Sequence, residues 1–107
     1  MQNEKMYLVN KLFNDSSIRT VWNKEEEKYY ISVVDVVGVL SESSRPRKYW
    51  SDLKVRLEEE GFQLSDFIGQ LKLKASDGKY RITDVTDIEG MFRIIESIPS
   101  KNAEPIN

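Results

Sequence analysis

The chain has 107 residues, a net charge of −2, and neither cysteine nor histidine. This excludes disulfide and thiolate chemistry and removes the commonest general base and transition-metal ligand. A hydrophobic fraction of 39%, with 10% aromatics, fits one globular domain rather than a disordered chain.

No apolar run approaches the ~20 residues of a membrane span. The opening MQNEKMYLVN lacks the apolar centre of a signal peptide, so the expected location is cytoplasmic. The charge is unevenly spread. Residues 1–44 hold five basic and seven acidic groups, residues 45–81 nine and six, and residues 82–107 two and five. The cations gather in the middle third between acidic ends, and a polyanion responds to such a local field more than to the total.

Residues 1–16 are weakly patterned; MYLV reads as an edge strand or a frayed end. From residue 17 the pattern sharpens. SIRTVW alternates, KYYIS is rich in aromatic and β-branched residues, and NKEEE lies between them, which predicts a hairpin. Trp22 and Tyr29 are assigned to its core side. SVVDVVGVL, Ser32 to Leu40, fits a strand by composition. It fits a helix by its Ser32/Asp35 capping-box spacing and by a face of Val33, Val36, Val37 and Leu40.

Ser44 to Gly61 is the clearest helix. Pro46 suits the first turn and Gly61 the position just past the end. Trp50, Leu53 and Leu57, with Tyr49 beside them, form the apolar face. Arg45, Arg47 and Lys48 crowd the start and Glu58, Glu59 and Glu60 the end, against the preference of the helix dipole. A phosphate at the helix N-terminus would account for that polarity.

FQLSDFIG reads as a loop or a single helical turn packing Phe62 and Phe67. QLKLKASDGKYRIT predicts a second hairpin turning at SDG, with one apolar face and four cations, Lys72, Lys74, Lys79 and Arg81, on the other. TDVTDIEGMFRIIESIP predicts a helix capped by Thr83 or Asp84, stopped by Pro99, with a core stripe of Val85, Ile88, Phe92 and Ile95. Residues 99–107 read as a tail.

Two basic elements in one third of the chain point to duplex DNA: Arg45, Arg47, Lys48 and Lys54 on the helix, Lys72, Lys74, Lys79 and Arg81 on the hairpin. Against that, Lys48–Asp52, Lys54–Glu58 and Arg56–Glu60 are i,i+4 pairs of a solvated face, and strand lysines commonly guard edges. Glu26, Glu27 and Lys28 form an E-x-K triplet of the kind metal-dependent nucleases use. It lies in a hairpin loop without a neighbouring strand aspartate, so no catalytic residue, metal or cofactor is assigned.

YYISVVDVVGVLSESSRPRKYWSDLKVRL, followed by QLKLKASDGKYRITDVTDIEGMFRIIESIPSKNAEP, resembles the Bro-N domain. This is the N-terminal domain of phage antirepressors, baculovirus BRO proteins and related DNA-damage-inducible prophage proteins. The similarity covers roughly residues 18–105. It implies a DNA-binding α+β domain at 17–98, in the order β-β-α-α-β-β-α, and favours helix for Ser32–Leu40. The family positions that could face DNA include Arg45, Arg47, Lys48, Lys54 and Lys79. SRP replaces the commoner acidic residue before proline, and LKLKAS is more basic than LKLPA; both add positive charge. The family usually continues beyond AEP, so a fragment is expected. A protein-interaction module that binds a repressor remains the alternative, and a homo-oligomer remains open.

Overall fold

The computed structural model describes residue 7, residues 10–12 and residues 14–98. Of the MYLV segment only Tyr7 is among them, and its backbone is helical rather than extended. Pro99 and the tail lie outside the described residues.

Strands β1 (Thr20–Asn23) and β2 (Lys28–Ser32) form the first hairpin, paired from Thr20↔Ile31 to Asn23↔Lys28. The acidic loop between them is closed by Asn23 Oδ1, which accepts the Glu26 N–H at 2.8 Å. Helix α1 (Val33–Ser41) follows at once. Its valines favour strand intrinsically, but Val33, Val36, Val37 and Leu40 are all buried on one helical face. Burial outweighs a propensity difference of a few tenths of a kcal/mol per residue. Ser32 occupies the cap position but makes no side-chain cap bond. The expected capping box is absent because Asp35 is engaged by Arg19 instead.

Helix α2 (Pro46–Glu59) begins at Pro46 as expected and buries Trp50, Leu53 and Leu57. It ends in a Schellman motif: Phe62 N–H donates to Leu57 O and Gly61 N–H to Glu58 O, each at 3.0 Å. That turn needs the left-handed φ of +98° that Gly61 supplies. A short 3₁₀ turn (Leu64–Asp66) then leads to β3 (Gly69–Lys74) and β4 (Tyr80–Thr86).

The last helix, α3 (Ile88–Glu96), starts later than the sequence suggests. Thr83 and Asp84 are strand residues, and the cap is Asp87, whose Oδ1 accepts the Gly90 N–H at 2.9 Å. The strand persists because Val85 and Thr86 pair with Ser32 and Ile31. The buried stripe is therefore Gly90, Met91, Ile94 and Ile95. Val85 is buried from the sheet, Phe92 is half-buried, and Ile88 is exposed.

The four strands form one antiparallel sheet in the order β1-β2-β4-β3. Among the described residues, the strands of the two hairpins pair with each other only through Ile31↔Thr86 and Ser32↔Val85. The helices and β2 enclose the core, to which Leu12 and Ile18 also contribute. Trp22 and Tyr29 are outside it. They stand about half exposed in edge-to-face contact, ring centroids 4.9 Å apart. Trp50 is buried and Tyr49 packs against the core, as expected.

The second hairpin also corrects its expected faces. Register pairs Lys72 with Ile82, Lys74 with Tyr80, Leu73 with Arg81 and Leu71 with Thr83. Directly opposed residues share a face. The cations are therefore split: Lys72 and Lys74 stand beside Tyr80 and Ile82, while Arg81 shares the face of buried Leu73. Alternation within each strand is visible in the sequence, but the length of the turn decides which alternate sets meet.

Gly90 is held by close approach. A Cβ there would lie 1.8 Å from Thr86 Oγ1 and 3.1 Å from Phe67 Cδ2. Thr86 is itself fixed by donating to Phe67 O at 2.7 Å. Gly90→Ala is expected to lower stability by about 2 kcal/mol through overpacking, despite alanine's helix advantage of ~1 kcal/mol. Urea unfolding measures this; a midpoint at or above wild type would contradict the close approach.

Candidate nucleic-acid interface

Two adjoining clefts lie where α1, the start of α2 and the second hairpin converge. The larger, about 770 Å³, is lined by Ser17, Gly38, Ser43, Pro46, Arg47 and Lys74, among others. The smaller, about 400 Å³, includes Arg47, Trp50, Lys54, Arg81 and Asp84. Arg19, Val34, Arg47 and Ala75 border both. Arg47 thus joins the helix start to the hairpin across a single basic depression.

Polar contacts set this geometry. Arg19 donates through Nε and Nη2 to the two oxygens of Asp35 at 2.7 and 3.1 Å, and through Nη1 to Lys74 O at 3.0 Å. Its Nη2 also reaches Ser32 Oγ at 3.3 Å. One guanidinium therefore ties the entry to β1, helix α1 and the end of β3. On the other side, Asp84 accepts Trp50 Nε1 at 2.8 Å, Lys54 Nζ at 3.1 Å and Gln70 Nε2 at 3.0 Å. Lys54 also lies over the Trp50 ring, 5.6 Å from its centroid.

The eight residues expected to bind DNA divide on this basis. Lys54 is half-buried and its charge is matched by Asp84, not by the expected Glu58. Lys48 pairs with Asp52 at 3.2 Å and Arg81 with Asp77, both on the surface. Arg45, Arg47, Lys72, Lys74 and Lys79 are exposed and make no ion pair within 4.0 Å among the described residues. Arg47 and Lys74 line the larger cleft; Arg45, Lys48, Lys72 and Lys79 line neither. Arg45, the N-cap residue of α2, makes no side-chain cap bond, so the first N–H groups of the helix carry no such partner.

The E-x-K triplet is dispersed into structural contacts. Tyr30 Oη donates to Glu26, and Lys28 Nζ donates to Asp87 at 3.0 Å. Among the described residues no three acidic groups gather as a metal site, and no helix is long and apolar enough to cross a membrane.

Arg19 is the residue that sequence reasoning misses. Its partners are Asp35, sixteen residues away, and Lys74, fifty-five away, so no local periodicity marks it. Tyr80 and Ile82, expected on an apolar inner face, stand 67% and 70% exposed. Their alternation with charged residues is legible in the sequence; the side of the sheet that is covered is not. Against protein-family models, curated proteins and solved structures, the chain returns no match.

Burial tends to raise the Asp84 carboxyl, but the donations from Gln70, Trp50 and Lys54 outweigh it and hold it below the usual 3.8. A carboxyl lowered in the folded state contributes stability above its unfolded value, and that stability is lost as pH falls through the folded one. Asp84→Asn should therefore destabilise the domain at neutral pH and make its acid limb shallower below pH 3.8. Urea midpoints measured against pH test this; parallel acid limbs for the two proteins would remove Asp84 from the response.

Proposed function

We propose that this domain binds duplex DNA as the N-terminal module of an antirepressor-like transcription regulator. The observation that carries the proposal is Arg47. It stands in the first turn of α2, borders both clefts, and shares the larger one with Lys74 of the hairpin. Five exposed cations in this third of the chain have no carboxylate within ion-pair distance among the described residues. A polyanion would supply the missing counter-charge.

The proposed contacts follow from these placements. Phosphates would meet Arg47 and the uncapped N-terminus of α2, where fork-shaped guanidinium donation and backbone N–H groups act together. Lys72, Lys74 and Lys79 would follow the backbone on either side of the two-stranded ribbon, an element narrow enough for the major groove. Arg45 would extend the positive edge. Lys54 instead holds the hairpin through Asp84, and Lys48 and Arg81 contribute less because each has a carboxylate beside it. The role is binding rather than catalysis. The resemblance of RPRKYW and ASDGKYRITD to Bro-N supports the regulatory setting.

Electrophoretic shifts with random duplex DNA test the proposal. Affinity should fall steeply with salt. Arg47→Ala and Lys74→Ala should each reduce the log–log slope by about 0.9 for every phosphate that the variant no longer neutralises. Lys54→Ala should lower stability and leave that slope nearly unchanged. Absence of any shift at low salt would refute DNA binding.

A further inference from the structure

We infer that the exposed Tyr80–Ile82 face of the second hairpin, beside the smaller cleft, reads sequence, with Tyr80 and Ile82 taking thymine methyl groups in the major groove between flanking Lys72 and Lys74. The inference rests on the DNA-binding reading and adds its specificity surface.

Tyr80 and Ile82 are alternate residues of β4, so they project from the same face, roughly 7 Å apart along the strand. They are the most exposed large apolar side chains of the second hairpin, at 67% and 70%. Single exposed apolar residues are ordinary. These two adjoin each other, and their direct cross-strand partners are both lysines: Lys74 opposite Tyr80 and Lys72 opposite Ile82. The other face carries buried Leu73 and half-buried Leu71. The Tyr80–Ile82 face runs on to Asp84, where it meets Trp50 and Lys54 of α2, so that Ile82 also borders the smaller cleft. Residues 80–84 of β4 pair with β3 alone, so no further strand borders them there.

The chemistry of this face selects the occupant. Two apolar side chains bracketed by two cations, neither in an ion pair among the described residues, match a surface that is anionic at its edges and apolar at its centre. The DNA major groove has that arrangement. Phosphates line its rims, and the thymine C5-methyl is the apolar group on its floor. Ile82 has no polar side-chain atom, so it can discriminate bases only through such a methyl. Tyr80 presents a ring edge and a hydroxyl that can also reach a base acceptor. The glycine turn at Gly78, with φ +87°, brings the two strands together at the tip without bulk. Arg47 and Lys74 would set the register of the ribbon, and Tyr80 and Ile82 would read within it.

The test is selection of bound duplexes from a randomised pool by the full chain, followed by competition with the recovered site carrying uracil in place of thymine. Wild type should recover sites with thymine at fixed positions. Removal of one thymine methyl from the site should weaken binding about fourfold, the equivalent of one buried methyl group at about 0.8 kcal/mol. Ile82→Ser, at an exposed position, should abolish that thymine–uracil difference at one position while keeping the affinity and salt slope for random DNA. Tyr80→Ala should do the same at a neighbouring position. A shift with no recovered preference, or a thymine–uracil difference unchanged in both variants, overturns sequence reading while leaving DNA binding intact. No shift with any duplex overturns both.

Discussion

Two residue pairs hold the sheet together. Among the described residues, the first hairpin pairs with the second through Ile31↔Thr86 and Ser32↔Val85 alone. So short a ladder cannot fix the angle of a two-stranded ribbon, and an isolated ribbon is marginal in water. The remaining restraint comes from side chains. Arg19 fastens the end of β3 to Asp35, and Asp84 fastens β4 to Trp50 and Lys54 of α2. Thr86 and Gly90 complete the seam by bringing α3 against the strand. The basic depression exists because these contacts close its two ends.

The same contacts resolve part of the reversed charge pattern of α2. Lys54 is drawn to Asp84, and Arg56 donates to Ser97 O at 2.7 Å while approaching Glu60 at 4.0 Å. These two cations therefore serve packing. What remains at the helix start is Arg45 and Arg47, with Lys48 half-compensated by its surface pair with Asp52. Partly exposed ion pairs of this kind contribute little on their own. Their effect here is positional, since each fixes a long side chain that could otherwise reach elsewhere. The acidic end, Glu58–Glu60, is solvent-exposed and lies beyond the last buried residue, Leu57.

Charge is thus distributed by role rather than by count. Arg19, Lys28 and Lys54 reach carboxylates across the fold and support the frame. Arg45, Arg47, Lys72, Lys74 and Lys79, without an ion pair among the described residues, stand at the helix start and along the hairpin. Exposed Tyr80 and Ile82 belong to the second group, because they share the face of Lys72 and Lys74. A ribbon with Leu73 buried on one face and exposed cations mixed with apolar groups on the other suits an extended, charged partner better than bulk water.

Ser32–Leu40 fitted strand and helix alike, but the α+β class, both hairpins, the Pro46 start and the Gly61 stop were legible in the sequence. Each depends on residues within a turn or two of one another, and their periodicity records it. The tertiary structure decided the rest. It extended β4 to Thr86 because Val85 and Thr86 find partners in β2, more than fifty residues earlier. It split the hairpin's cations between faces because cross-strand register, not alternation, sets which residues meet. It took Asp35 from a capping box, Lys54 from Glu58 and Trp22 from the core, because long-range partners and the covered side of a sheet are properties of packing. Sequence by itself marked the two hairpins and the Pro46–Gly61 helix, because their signals are local. Only their assembly determined which of the charges are left for a partner.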